Sequence, residues 1–323
     1  MRVPKFSEII DLINIIAISC FFAKAITGND VFLYLGFFSG TSIFIYQLLS
    51  RNRISDFALV FFLIVIFSSI FTLLNNGFEN GLAFIPSIIA ASGIGWRISS
   101  NGINYRFCWL LFYGSLIYFL FHVILLDQFA GTVFAYSRNH VSVYFINATC
   151  LLFIASYQSK YEIKLTPVIA TFFVSMLSIS LAGILSSALF LYMILYYKFF
   201  NKLKNYKSLF FLVTGFFIFL TIIFINNFFS YIIVNFDLST DMISKLQSPL
   251  NLGEGRRFNI LNEYIEKLNF QRMIFGINMG ESFDNFPNLH SAYLLLHARS
   301  GMFSFLFLLL FVYSLFKLFK YNF

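Results

Sequence analysis

The run Leu165-Thr-Pro-Val-Ile-Ala-Thr-Phe-Phe-Val-Ser-Met-Leu-Ser-Ile-Ser-Leu-Ala-Gly-Ile-Leu-Ser-Ser-Ala-Leu-Phe-Leu-Tyr-Met-Ile-Leu-Tyr-Tyr197 carries no charge between Lys164 and Lys198. A membrane-spanning helix needs about 17–25 mostly apolar residues. The stretch is therefore too long for one straight helix and barely long enough for two. Ser178-Ile-Ser-Leu-Ala-Gly183 is the natural place for a tight turn, which sets two spans at 165–180 and 183–199. A chain that can leave such a run uncharged is using lipid as its solvent.

The flanking sequence repeats the pattern. Further apolar runs lie at 8–26, 31–50, 57–75, 82–97, 107–126, 140–158, 209–227 and 301–318, making about ten spans. Composition agrees: 59% of the 323 residues are hydrophobic and only 11% charged, against roughly 25% charged in a soluble domain. Forty-eight phenylalanines cannot all be hidden in an aqueous-protein core of this size. The expected fold is an all-α polytopic integral membrane protein. Residues 1–227 carry the first nine spans, 228–300 form one large outer loop, and 301–323 hold the last span and a tail. The N-terminal run is interrupted by Asp11 and Asn14 and followed at once by another span, so it reads as an uncleaved first helix rather than a signal peptide. No internal repeat is evident.

The net charge of +8 does not point to nucleic acid, because the basic residues are scattered through short interhelical loops rather than gathered on one face. Their placement speaks instead for topology. With the N-terminus inside, the cytoplasmic loops hold most of the 22 lysines and arginines, whereas the short outer loops hold only Lys24 and Arg138. Both termini are then cytoplasmic. Arg138, His140, Arg256, Arg257 and His290 all fall on the outer face. Cys20, Cys108 and Cys150 lie inside apolar runs without a C-x-x-C pair and read as packing residues.

The outer interval concentrates the polar chemistry. Phe258, Leu261, Tyr264, Ile265 and Leu268 follow helical spacing, with Glu263, Glu266 and Lys267 opposite, as in a helix lying on a membrane surface, apolar side down. Arg256 and Arg257 open it. Arginine offers a planar fork of donors suited to phosphate, and a helix N-terminus adds its own partial positive charge; lipid headgroups could use the same pair. His290 can accept a proton from a hydroxyl near neutral pH. His297, seven residues on, falls on nearly the same helical face. Gly301 and Ser304 would let another backbone approach closely. Arg299 fits an interfacial anchor, and Ser137-Arg138-Asn139-His140 begins the sixth span from the outer side. No P-loop, dinucleotide fingerprint or H-E-x-x-H motif is present. Glu254, Glu281 and Asp284 are expected to be solvated or paired with arginine, and no metal site is assigned.

His290-Ser291, nine residues, then Gly301-Met-Phe-Ser304 resembles the signature of the O-antigen ligase and O-antigen polymerase superfamily, a histidine followed by Asn, Ser or Gln, nine residues, then G-x-x-G. Gly255-Arg256-Arg257 before a helix and Ile274-Phe-Gly-Ile-Asn-Met-Gly280 are similar to the family's arginine, helix and Gly-rich turn. Ser137-Arg138-Asn139-His140-Val-Ser142 is similar to an R-N-H-x-S element of some polymerases. The final motif glycine is Ser304 here, and the central helix pair lacks the family's Ser-Arg-Gly. The close match covers about 50 residues.

The resemblance implies a membrane-embedded glycosyltransferase. It would act on undecaprenyl-diphosphate-linked oligosaccharide at the periplasmic face of a bacterial inner membrane, within lipopolysaccharide or polysaccharide biosynthesis. His290, Arg256 and Arg257 would be catalytic, and Arg138, His140, Ser291 and Gly301 would bind substrate. Polymerase is favoured over ligase. No cofactor is expected, nor is a metal required where arginines neutralise the diphosphate. A chain-length regulator is a possible partner besides the lipid bilayer. The reading from another class is a lipid-linked-oligosaccharide flippase, which should instead carry mid-helix charges and repeated halves.

Overall fold

The computed structural model describes residues 6–50, 56–134, 138–162, 164–178, 180–200, 256–277, 297–298, 301–306 and 309. Among these there are helices and turns and no strand. The helices are α1 (Phe6–Thr27), α2 (Asp30–Leu49), α3 (Asp56–Asn101), α4 (Tyr105–Ile124), α5 (Arg138–Gln158), α6 (Thr166–Leu177), α7 (Leu181–Phe200), α8 (Arg256–Glu266) and α9 (Phe270–Phe275). Four of them are long and apolar enough over Ser7–Thr27, Asp30–Leu49, Tyr105–Ile124 and His140–Gln158 to cross a membrane. This fits an all-α membrane protein. The expected span at 209–227 lies outside the described residues, as does most of 301–318.

The chain clusters into two compact units. The first comprises Met1–Gln47 and Ala90–Phe228. Within it, α1 and α2 run in opposite directions, and α4 to α7 alternate. The end of α3 runs alongside α2 in the same sense, with Phe44 beside Trp96 and Tyr46 beside Arg97. Arg97, 3% exposed, reaches back to the start of α1, with its Nε 2.7 Å from Asp11 Oδ1 and its Nη2 2.8 Å from Ser7 O. The Gln158 side chain at the end of α5 donates to Ile98 O (2.9 Å) and accepts from Ile103 N (3.1 Å). These contacts gather the start of α1, the end of α3, the start of α4 and the end of α5 at one end of the unit. At the other end, Phe22 of α1 meets Tyr144 edge-on at 4.6 Å, and Ser142 Oγ lies 3.1 Å from Ser178 Oγ. Near that end a 3-10 turn (Ala130–Thr132) leads from α4 toward α5.

Burial in this unit is dense where α4 and α5 meet. Phe112, Phe119, Phe134 and Phe145 are fully enclosed, with ring centroids of Phe119 and Phe145 5.7 Å apart. Beside this aromatic core runs a hydroxyl seam. Thr149 Oγ1 lies 2.7 Å from Thr171 Oγ1, and both Thr171 and Ser187 return hydrogen bonds to carbonyls one turn earlier. Small side chains let these backbones close up without a hydrophobic drive between them. Gly183 is an example: a Cβ there would be driven into the Ser142 side chain.

The uncharged run breaks where it should. α6 ends at Leu177 and α7 starts at Leu181, and Ser180 Oγ accepts from Gly183 N at the new helix start. The pairings of Ser142 with Ser178, Thr149 with Thr171, and Phe153 with Phe190 make α6 antiparallel and α7 parallel to α5. The two helices are therefore a hairpin.

One expectation fails. The spans at 57–75 and 82–97 are a single helix, with Pro86 inside it. Asn75, Asn76, Gly77, Asn80 and Gly81 carry turn propensity, but propensity is a weak prior that the surrounding helical run overrides. Proline removes only its own N–H from the ladder and bends rather than ends the element.

Candidate functional site

The second unit comprises Leu48–Ile89 and Phe229–Phe323, and its described core is built on α8 and α9. α8 opens at Arg256–Arg257, as its sequence spacing indicates. Its buried strip is Ile260 and Tyr264, packed with Ile277, Ala298 and Leu268. Glu263 and Lys267, expected on the water face, are partly buried as an ion pair of 3.5 Å. Leu261 and Ile265, expected on the packed side, remain exposed (37% and 54%). The buried strip is thus turned by roughly a quarter of a revolution from the apolar one at about 100° per residue. Contact with residues 277 and 297–298 decides what is buried, and the apolar strip is left for another medium.

α9 starts with Asn269, whose side chain accepts from Arg272 N at 2.7 Å. This is the usual economy of an N-cap, a short acceptor satisfying a free amide of the first turn. Arg272 Nη1 then donates to Lys267 O at 3.1 Å, tying the helix to the connector before it. The helix stops at Gly276, φ 93° and ψ −174°, a backbone region open to glycine.

Residues 297–298 and 301–304 lie across this stop. His297–Gly301 closes one α-turn through Gly301 N and His297 O (2.7 Å), and Ser304 Oγ bonds Gly301 O at 2.7 Å. The two breaks are then stitched together by Ile277 N to Ala298 O (3.0 Å) and Met302 N to Ile274 O (2.9 Å). Each glycine is needed by the other strand. A Cβ on Gly276 would enter Ala298 O, and one on Gly301, at φ 54°, would enter Ile274 O. The earlier half of α3 packs here too, Phe71 against Phe275 and Phe303 with centroids 5.2 and 5.0 Å apart.

His297 sits at the centre of the crossing, 8% exposed. Its Nε2 is 3.0 Å from Met273 O and its Nδ1 2.6 Å from the Tyr264 hydroxyl. A carbonyl only accepts, so Nε2 carries the proton of that bond; in the neutral ring Nδ1 then accepts from the phenol. Burial pushes the Tyr264 hydroxyl above its ordinary range, which keeps it a donor. With both nitrogens engaged, His297 has no lone pair to offer a substrate.

The residues singled out from sequence are distributed as follows. Arg256 and Arg257 stand in the first turn of α8, and Gly301 is the tight turn just described. His290 and Ser291 lie outside the described residues. Arg138 begins α5 and His140 follows on its exposed side; both belong to the first unit. Ser142 of the same element is fully buried and serves packing against the α6–α7 turn. Among the described residues no three His, Cys, Asp or Glu side chains converge. The Tyr264–His297 bond was not anticipated; Tyr264 read as one more apolar position and His297 as a companion of His290. The two glycines that bracket the crossing were its only sequence signal. Comparison with known protein families, curated proteins and solved structures returned no match.

Proposed function

We propose that this chain is an O-antigen polymerase, joining undecaprenyl-diphosphate-linked oligosaccharide repeat units at the periplasmic face of the inner membrane. One observation carries the reading. Ile274–Ile277, from one stretch that holds the resemblance, meets Ala298 and Met302, from the other stretch and the residues just before it, through two backbone hydrogen bonds at two glycines that each admit the other chain. Such a crossing brings the parts of the motif to one place.

In this reaction a hydroxyl oxygen of the acceptor sugar attacks the anomeric carbon of the donor. The anomeric C–O bond to the diphosphate breaks, and undecaprenyl diphosphate leaves with the bonding electrons. The leaving group is already acidic, so it needs positive charge rather than a proton. Arg256 and Arg257, at a helix N-terminus, supply that charge. The acceptor hydroxyl must lose its proton, and His290 takes it. Ser291 contacts the glycan. The polyprenyl tail lies between spans.

Deletion of the gene followed by a lipopolysaccharide gel tests the reading. Core bearing a single repeat unit is the expected outcome. Bare core with lipid-linked polymer accumulating would make the chain the ligase of the same superfamily, and an unchanged ladder would overturn both, leaving transport of the lipid-linked unit. His290→Ala should abolish polymer while the protein stays at its normal level in the membrane; full product from that variant would remove His290 as the base.

A further inference from the structure

We propose, independently of the polymerase reading, that the cleft between the start of α4 and the α5–α6 connection holds the phosphoethanolamine headgroup of one membrane phospholipid. All the residues that form it belong to the first unit.

The cleft combines the two kinds of surface a headgroup needs. Phe153 and Ser156 line it and are buried, the rings of Tyr105 and Tyr113 line it half-buried, and Glu162 and Lys164 line it exposed. With its open side included it encloses about 230 Å³. That is less than the roughly 300–1,000 Å³ of pockets that take whole small molecules. It suits a small polar group attached to something lying outside.

The level of the cleft in the molecule says what that something is. α4 and α5 both carry a stretch long and apolar enough to cross a membrane, and the cleft lies where α4 starts and α5 has just ended. Aromatic rings crowd the same level. Centroid to centroid, Tyr105 lies 4.6 Å from Tyr161 and Trp109 4.8 Å from Tyr113, and Tyr157 and Tyr161 are both exposed. Tyrosine and tryptophan gather at the boundary between lipid and water, so a group bound here is bound among headgroups.

The chemistry of the lining selects one headgroup. A site for an anionic lipid would present cations alone. Here Glu162 and Lys164 bring a carboxylate and an ammonium to one cleft, while Arg106 and Lys160, exposed on the same stretches of chain, do not line it. Such a pair complements a zwitterion: the lipid phosphate meets Lys164, and the lipid ammonium meets Glu162. Tyrosine faces also attract an ammonium. Ser156 separates a primary amine from a quaternary one. Its hydroxyl hydrogen goes to Leu152 O at 2.8 Å, so its oxygen can only accept from a ligand. A primary ammonium has hydrogens to give, and a trimethylated one has none.

The test uses the full chain purified in detergent, offered equal amounts of phosphatidylethanolamine, phosphatidylcholine and phosphatidylglycerol with identical acyl chains. Native mass spectrometry should show one phosphatidylethanolamine retained over the other two by about tenfold, the weight of one charge-assisted hydrogen bond. Glu162→Gln should bring that preference near parity, and Lys164→Gln should weaken retention of every phospholipid. Both side chains are exposed, so neither substitution threatens the fold. A readout that needs no variant is a phosphatidylethanolamine with a photoreactive group beside its glycerol, which should crosslink the wild type within residues 105–113 or 152–167. Equal retention of the three lipids would reduce the site to ordinary lipid contact, and preference for phosphatidylglycerol would make it anionic. A preference untouched by Glu162→Gln, or crosslinks outside those two stretches, would put the lipid elsewhere. Soluble phosphoethanolamine bound as tightly as the lipid would make the ligand a free small molecule. Each of these four results overturns the proposal.

Discussion

Gly301 shows how much one missing methyl can decide. A non-glycine residue in its left-handed conformation costs about 1–2 kcal/mol, and the added Cβ would also meet Ile274 O. Gly301→Ala should therefore lower the melting temperature in detergent and weaken the Met302–Ile274 bond, a loss that amide exchange at Met302 would register. An unchanged melting temperature would mean that the crossing relaxes freely. The close approach at Gly301 was readable from its place in the motif. The partner that approaches was not, because nothing in the order of residues says that Ile274, far back in the chain, will fill the space. The two histidines make the same point. Both are polar residues beside an apolar stretch, and sequence favours the one inside a recognised spacing. Only coordinates show that His297 has both nitrogens occupied.

At the scale of the element, α8 keeps two strips with different employers. Ile260 and Tyr264 serve the fold, while Leu261 and Ile265 are left uncovered. Apolar strips on surface helices sink about 5–10 Å into the headgroup–acyl boundary. With Trp96 and Trp109 replaced by Phe, Ile265→Trp should be quenched by brominated lipid in proteoliposomes, and Glu266→Trp, about 100° round the helix, should be quenched far less. Equal quenching at the two positions would remove the membrane-surface reading. The helix itself was legible from its 3.6-residue spacing. Its buried strip was not, because periodicity marks where apolar residues lie and cannot say which medium covers them. α3 failed in the opposite sense. Its asparagines and glycines announce a turn, and the long apolar runs on either side hold it helical.

Across the first unit as a whole, the helix ends gather into two groups. Arg97 against Asp11 and Gln158 against the α3–α4 connection bring residues near 7, 97, 104 and 158 to one end. Lys24–Asp30 and Ser142–Ser178 mark the other. In a chain whose three cysteines are replaced by Ala, new single cysteines at Asn104 and Lys160 should react with an impermeant maleimide from one side of sealed vesicles. Those at Asn29 and Gln128 should react from the opposite side. Labelling of 104 and 160 from different sides would overturn the alternation. Loop charges suggest which ends share a side, whereas a pairing such as Thr149 with Thr171 depends on which helices become neighbours.

The Ile277–Ala298 hydrogen bond also has a consequence for how such a chain can diversify. It pins the two stems of the segment 278–296, which contains His290, a single hydrogen bond apart. Stems already joined tolerate a longer connection between them, since doubling a closed loop costs only about 0.6 kcal/mol. Exchanging the sequence between residues 277 and 298 should thus leave the glycine crossing and its buried histidine as they are.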